Sequence, residues 1–420
     1  MGDAFRTPRR HGIGFGLAAA LTLSLFALPA TALATVHTHR AATQVVTIGL
    51  IEPTTGAGAV LGEQIIDGAD LAVADLNREA AAEHKPFRFK TVVENSQCDP
   101  QDANTATLAA IQQAHVNAMV GEVCSDATLV VRSLAGQYKV PVVVPDSSAH
   151  AITAQGNPYT FRIIPDEVLQ HEILAVVAKN FLHFHHVVAV HEQTASGDGA
   201  ANSFVWAMQR IGDPVVADIA VSDTAPNYAS TIAYIKSLHP DAIDVTMLIN
   251  PAVRFIQQLY QSGVRVPILD SIWFPQPEYA KLLGPAAIGT VSESFFQAGY
   301  NKAFGAAAFT SEFEARYHTA PDYQNAEGYA SAKLIGDTVL RIGKTSPVDI
   351  AAGLRQTRDY PSVIGMITFN SQGQAEFTPT SMILVKNLPG LKLAILNTEP
   401  GFKLGLWMEA FRGATCSPNC

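Results

Sequence analysis

Short β-branched runs alternate with longer amphipathic stretches along most of this chain, and that order constrains its fold more than any other feature. The run 45–51 precedes a stretch with Ile65, Ala69, Val73 and Leu76 on one helical face; 87–94 precedes a helix that Asp99 can cap, with Pro100 at its first position. A run at 118–120, a helix over 129–138 and a run at 140–144 complete a βαβα series, which calls for a parallel sheet covered by helices on both faces. The alternation resumes at 166–180 (helix), 187–190 (strand), 200–211 (helix) and 215–220 (strand). It continues through 228–238 (helix), 243–249 (strand), 254–262 (helix) and 266–269 (strand). At 420 residues with 48% hydrophobic residues, the chain accommodates two doubly wound α/β domains.

The N-terminus carries Arg6, Arg9 and Arg10, then a Gly/Ala/Leu-rich stretch from Ile13 to Leu28, then Pro29 and the small-residue site Ala32-Leu33-Ala34. This is the layout of a secretory signal peptide, too short in its apolar part to span a bilayer, with cleavage expected after Ala34. Removing residues 1–34 takes away three positive charges and Asp3, so the formal net charge of −9 becomes −11. That balance offers no footprint for nucleic acid or an anionic membrane surface. An even set of four cysteines, Cys98, Cys124, Cys416 and Cys420, in an exported chain favours disulfides over metal ligation. Cys416 and Cys420 are open to pairing with each other, staying free, or pairing elsewhere.

In doubly wound sheets ligands sit outside the carboxyl ends of the strands. The loops at those ends hold Thr54-Thr55-Gly56, Cys124-Ser125, Asp146-Ser147-Ser148, Thr194 to Gly199, Asn250, and Asp270 to Trp273. A helix N-terminus beside a serine hydroxyl suits a carboxylate or phosphate; the plainer role for Ser147 and Ser148 is in a turn or cap. Gly56 to Gly62 has G-x-G-x-x-x-G spacing rather than the dinucleotide fingerprint. Gly343-Lys344-Thr345 has Thr338 where a phosphate loop needs glycine. His183, His185 and His186 precede a buried strand as a solvated connection would, with no ligand-spaced carboxylate or cysteine. No cofactor and no metal are expected.

Several segments in order resemble one family: Ile48-Gly49-Leu50 through Gly56, Gly68-Ala69 and Asn77, Cys98-Asp99-Pro100, and Gly121 to Ser125. The same holds for Pro141 through Ser148, Phe161-Arg162, Gly197-Asp198-Gly199, Gly328-Tyr329 and Gly365 through Asn370. Together, over about residues 44–398, the chain resembles the solute-binding proteins of branched-chain amino acid ABC importers. The resemblance implies a type 1 periplasmic-binding fold of two α/β lobes joined by three crossovers: 44–163 plus 297–368, and 164–296 plus 369–400. It implies closure on a small solute, and a Cys98–Cys124 disulfide. Residues 401–420 extend past the family's usual end and are expected to pack on the body.

The resemblance also implies a ligand carboxylate held by Ser125 and Ser148, with Ser147 and Asp146 beside them. Elsewhere the chain departs from the family: Leu61 falls where an aromatic residue is usual, Ser196 where a tyrosine is, and Ile272 where an acid meets the ammonium, with Asn250 and Trp273 flanking. An apolar wall of Leu61, Ile272 and Trp273 favours an aromatic or aliphatic acid, unless Asp146, Glu192 or Asp270 supplies the missing charge and restores an amino-acid site. The expected function is a periplasmic, monomeric, non-enzymatic binding protein that hands a small carboxylated solute to an ABC importer's membrane permease. A ligand-presenting adaptor for a membrane sensor, and an exported α/β enzyme acting on a small acid, are the competing functions. No nucleophile, base and orienter grouping supports the enzyme.

Overall fold

The computed structural model describes residues 42–56, 58–270, 276–378, 382–390, 392–414 and 416; the expected signal peptide, Ile272, Trp273 and Cys420 lie outside the described residues. Residues Ala42–Cys420 make one compact unit. Its first part runs β1 (Gln44–Glu52), α1 (Ala59–Ala82), β2 (Phe87–Asn95), α2 (Pro100–Leu108), β3 (Ala118–Gly121), α3 (Ser125–Tyr138), β4 (Val142–Val144), α4 (Ala151–Ala154) and β5 (Thr160–Arg162). These strands form one parallel sheet in the order β2-β1-β3-β4-β5. The expected cap is present: Asp99 accepts from the Gln101 and Asp102 amides, and Pro100 opens α2 where no amide donor is needed.

The second part runs α5 (Glu167–Asn180), β6 (Val187–Glu192), α6 (Ala195–Arg210), β7 (Ala217–Val221), α7 (Ala229–Leu238) and β8 (Ala242–Thr246). It continues with α8 (Ile249–Gln261), β9 (Ile268–Asp270), α9 (Pro277–Leu283) and β10 (Val291–Ser294). The chain then returns to pack α10 (Ala306–Tyr317), α11 (Tyr323–Ile342) and α12 (Pro347–Arg355) with the first part, α11 lying along α1. A small hairpin, β11 (Tyr360–Ser362) and β12 (Gly365–Ile367), precedes β13 (Ile383–Leu388), β14 (Lys392–Ile395) and α13 (Leu404–Trp407). The second sheet has the order β14-β13-β10-β9-β8-β6-β7; its last two strands in sequence join antiparallel. The run expected as a strand over 243–249 ends at Thr246, because Ile249 turns inward as the first residue of α8.

Glycine lets α1 and α11 touch: a Cβ on Gly68 would lie 1.9 Å from the Asn325 carbonyl oxygen, and one on Gly328 would lie 2.1 Å from that of Ile65. The chain passes between the sheets after β5, after β10 and after β12. The first and third passages are tied by Arg162, whose buried guanidinium donates to Gln374 Oε1 at 2.6 Å, to the Ser148 and Ala149 carbonyls at 2.8 and 2.7 Å, and to Thr153 Oγ1 at 3.0 Å. Gln374 Nε2 donates in turn to the Ile164 carbonyl at 2.7 Å. No helix among the described residues is long and apolar enough to cross a membrane.

Candidate functional site

The carboxyl ends of the two sheets carry the residues singled out from sequence. In the first lobe, β3 ends at Gly121 and α3 begins at Ser125, joined through Cys124, which is disulfide-bonded to Cys98. No side chain caps α3, so its first-turn amides, which have no intrahelical acceptor, point out of the strand ends with the helix dipole behind them. Ser125 is buried, and its Oγ accepts from the Ala149 amide at 3.2 Å, which fastens the α3 start to the 146–149 loop.

Within that loop the three residues differ. Ser147 donates to the Glu122 carbonyl at 2.6 Å and meets Thr128 Oγ1 at 2.5 Å, so its hydroxyl braces the loop from inside the lobe. Ser148 is half-buried, and its carbonyl accepts from Arg162 and from the Glu167 amide. Asp146 is buried, receives Gln324 Nε2 at 3.5 Å on Oδ2, and leaves Oδ1 without a partner. Burial pushes its carboxyl up to about 7, with the Gln324 contact opposing and Asp322 adding to the rise.

Of the remaining expected residues, Leu61 is buried in the core on α1, and Asn250 is exposed in the first turn of α8. Ser196 lies in the first turn of α6, its Oγ 3.4 Å from that of Thr194, which caps that helix. Glu192 ends β6 and is buried; desolvation raises its carboxyl to about 7, and Oε2 has no partner. The lobes meet here: the Ala195 amide donates to Asp126 Oδ2 at 3.2 Å, and the Asp126 charge acts on Glu192. Asp270, buried at the end of β9, and Glu192 both act on the buried Tyr279 of α9. The structure therefore brings Ser125 and the Asp146–Ser148 loop together in one lobe and places Glu192 and Ser196 at the facing strand end, with Asn250 exposed two residues past Leu248, whose backbone bonds the Glu192 carboxyl.

Sequence reasoning missed a set of buried polar groups around this point: Glu52, Glu122, Tyr323, Gln324 and Glu327 in the first lobe, Gln276 and Tyr279 in the second. The signal was present for two of them. Glu52 directly ends the apolar run of β1, and Glu122 directly follows that of β3; a carboxylate in such a place either reaches solvent or joins a site.

A model of the periplasmic binding proteins matches residues 45–386. The chain belongs to the periplasmic binding protein family. Leu/Ile/Val-binding protein homolog 3 of Brucella melitensis is 23% identical over 341 residues, covering 81% of this chain and 91% of its own. The branched-chain amino acid binding protein LivJ of Streptococcus pneumoniae, solved with isoleucine, superposes with a TM-score of 0.75 at 21% identity, covering 84% of this chain and 99% of its own. A solute-binding protein of R. palustris solved with benzoate gives 0.72 at 21% identity, over 84% and 96%. The fold is thus the type 1 periplasmic-binding fold, and a protein of this family binds solutes rather than transforming them.

Proposed function

We propose that this chain is the exported, periplasmic binding component of an ABC importer, closing its lobes on a small amino-acid-like solute and delivering it to a membrane permease. The observation that carries this reading is the opposition of two unlike groups where the lobes meet. The uncapped start of α3, with Ser125 and Ser148, supports a bound carboxylate. Glu192, with Oε2 unpartnered, supports a bound ammonium from the facing strand end.

Electrostatics separates the two ligand classes left open by sequence. An anion alone, entering beside Asp126, favours the protonated forms of Asp146 and Glu192, whose carboxyls burial already raises to about 7, and so leaves them unused as charges, whereas a zwitterion brings a cation that lets Glu192 ionise. Glu192 then stands in for the family's acid, whose position Ile272 occupies in the sequence.

A thermal-shift panel of amino acids, aromatic acids, short-chain acids and amides on ligand-stripped protein tests the reading. An amino acid at 100 times its Kd stabilises by about 2.7 kcal/mol, and Ser125→Ala weakens that effect. An aromatic acid stabilising while every amino acid fails would rule out the zwitterion; no stabilisation by any member would rule out the solute-binding role.

A further inference from the structure

Beside Glu192 in the second lobe, one buried histidine meets acids at both ring nitrogens. His191 is the penultimate residue of β6 and is 7% exposed. Its Nδ1 lies 3.2 Å from Asp198 Oδ1, in the first turn of α6, and 3.2 Å from the Glu192 carbonyl. Its Nε2 lies 3.3 Å from Asp218 Oδ1 on β7. The strand register agrees: Ala189 pairs in parallel with Asp218, so Ala189, His191 and Asp218 share the sheet face on which His191 reaches α6. A carboxylate only accepts, and a neutral imidazole has one N–H, so a neutral ring would turn a lone pair toward one of the two acids. Only the imidazolium donates to both.

The two acids meet different nitrogens rather than one point, and among the described residues metal-ligating atoms gather only at Cys98, Glu122 and Cys124, so a metal ion does not account for the arrangement. The other charged groups on the elements around the ring are acids too. Asp244 on β8 shares its face, two residues before Thr246, which pairs with His191, and Glu167 on α5 packs against α6 at Gly199. Burial opposes the charge on the ring, but Asp218, the Glu192 carbonyl and Asp198 outweigh it and raise the imidazole above its ordinary value. What the ring holds is the turn that faces the first lobe. Thr194 caps α6 through the Gly197 amide at 3.0 Å and donates to Glu192 Oε1 at 3.3 Å, while the Ala195 amide reaches Asp126 across the lobes. Asp198 closes the same turn, its amide donating to the Thr194 carbonyl at 2.9 Å, so the imidazolium ties that turn to β6 and β7.

We propose that His191, as the imidazolium, is a positioning residue for solute capture: it clamps the turn from Thr194 to Asp198 to the sheet, and the solute is held less tightly once the ring gives up its proton. This rests on the solute-binding reading above and sets a pH limit on the same site. A histidine raised in the folded protein keeps its proton below that raised value, so capture weakens as pH climbs through it. Glu192 acts in the opposite sense, since it must ionise to meet an ammonium; affinity therefore rises through about pH 7 and falls at higher pH.

The test is the thermal-shift panel of amino acids, aromatic acids, short-chain acids and amides, run at pH 6.5, 7.5 and 9 on the full mature wild type, His191→Gln and Asp218→Asn. Apparent affinity is read from the dose dependence of each panel member that stabilises. From pH 7.5 to 9 the wild type should lose at least fivefold in affinity relative to His191→Gln; ionisation of the solute is common to both and cancels. Asp218→Asn, at an exposed position on the edge strand β7, should move the fall to lower pH, because asparagine can donate to the neutral ring. Hydrogen exchange, corrected for its intrinsic pH dependence, should show residues 193–204 losing protection at least tenfold over the same range in the wild type. If His191→Gln does not fold, the displaced profile of Asp218→Asn decides alone. An Asp218→Asn profile that matches the wild type, or unchanged protection of 193–204, overturns this inference and leaves the solute-binding reading standing. No stabilisation by any panel member at any pH overturns both.

Discussion

Gln276 and Gln324 meet across the lobes: Gln276 Nε2 donates to Gln324 Oε1 at 2.8 Å, with both side chains fully buried. Gln276 precedes α9 in the second lobe, and Gln324 on α11 passes the contact to Asp146 in the first. Under the proposed closure the bond forms only while the lobes are together, so it favours the closed form. Gln276→Ala removes it and leaves Gln324 unpaired on that side. A net value of about 1 kcal/mol for such a bond corresponds to roughly fivefold weaker solute binding. Titration of the variant with a ligand that the wild type binds, together with small-angle scattering for a more open mean form, checks this. Wild-type affinity would show that closure does not depend on this contact.

Stability of the ligand-free protein should fall as pH rises from about 6.5 to 8. Burial raises Glu122 and Glu167 to about 8 and Asp146 and Glu192 to about 7. A carboxyl raised in the folded state binds its proton there while the unfolded chain has lost it, so its contribution is complete below the unfolded value and is lost as pH climbs through the folded one. Each such group removes up to about 1.4 kcal/mol per pH unit until it ionises. Buried His171, lowered to about 4, opposes this only below about 6.5, where the unfolded histidine protonates. Thermal melts at pH 6.5, 7.2 and 8 measure the slope; a flat or rising melting temperature contradicts it.

How much of this was legible in the sequence follows from which forces act locally. The βα order, the Asp99 cap and the connection at His183 to His186 are set by periodicity and short-range hydrogen bonding, and the structure has them where the residues indicated. The start of α3 at Ser125, four residues before the expected helix, depends on the disulfide and the 146–149 loop, partners far away in sequence. The inward turn of Ser147 depends on Thr128 and the Glu122 carbonyl in the same way. The buried acids are harder still, since Glu327 lies on a helix whose sequence reads as ordinary amphipathic surface until α1 and the first sheet close over it.

The Cys98–Cys124 disulfide links the loops that follow β2 and β3, the two strands flanking β1, with a sequence separation of 26. In the chain-entropy model a loop of this size stabilises by about 3 kcal/mol. Cys98→Ala with Cys124→Ala should lower stability by about that amount in urea unfolding. Cys124 also precedes Ser125, so the double variant should bind solute more weakly than its stability loss alone explains. Unchanged affinity in the folded double variant would separate the disulfide from the α3 start.

The C-terminal segment is a further packing layer on the second lobe. Phe402 and Trp407 stack edge-on at 5.3 Å, each within 5.3 to 6.1 Å of Phe181 at the end of α5. Phe411, 6% exposed, lies 5.5 Å from Trp206 on α6. Covering an apolar helix pair in this way keeps water from Phe181 and Trp206, whose rings would otherwise form an exposed patch beside α5. Phe411→Ala should therefore cost about 3 kcal/mol through lost burial and the cavity left behind. Deleting residues 401–420 should cost more and bring Trp206 into solvent, with a red-shifted tryptophan emission. A truncated chain that keeps the wild-type urea midpoint and emission would show the segment to be a loose cover rather than part of the folded core.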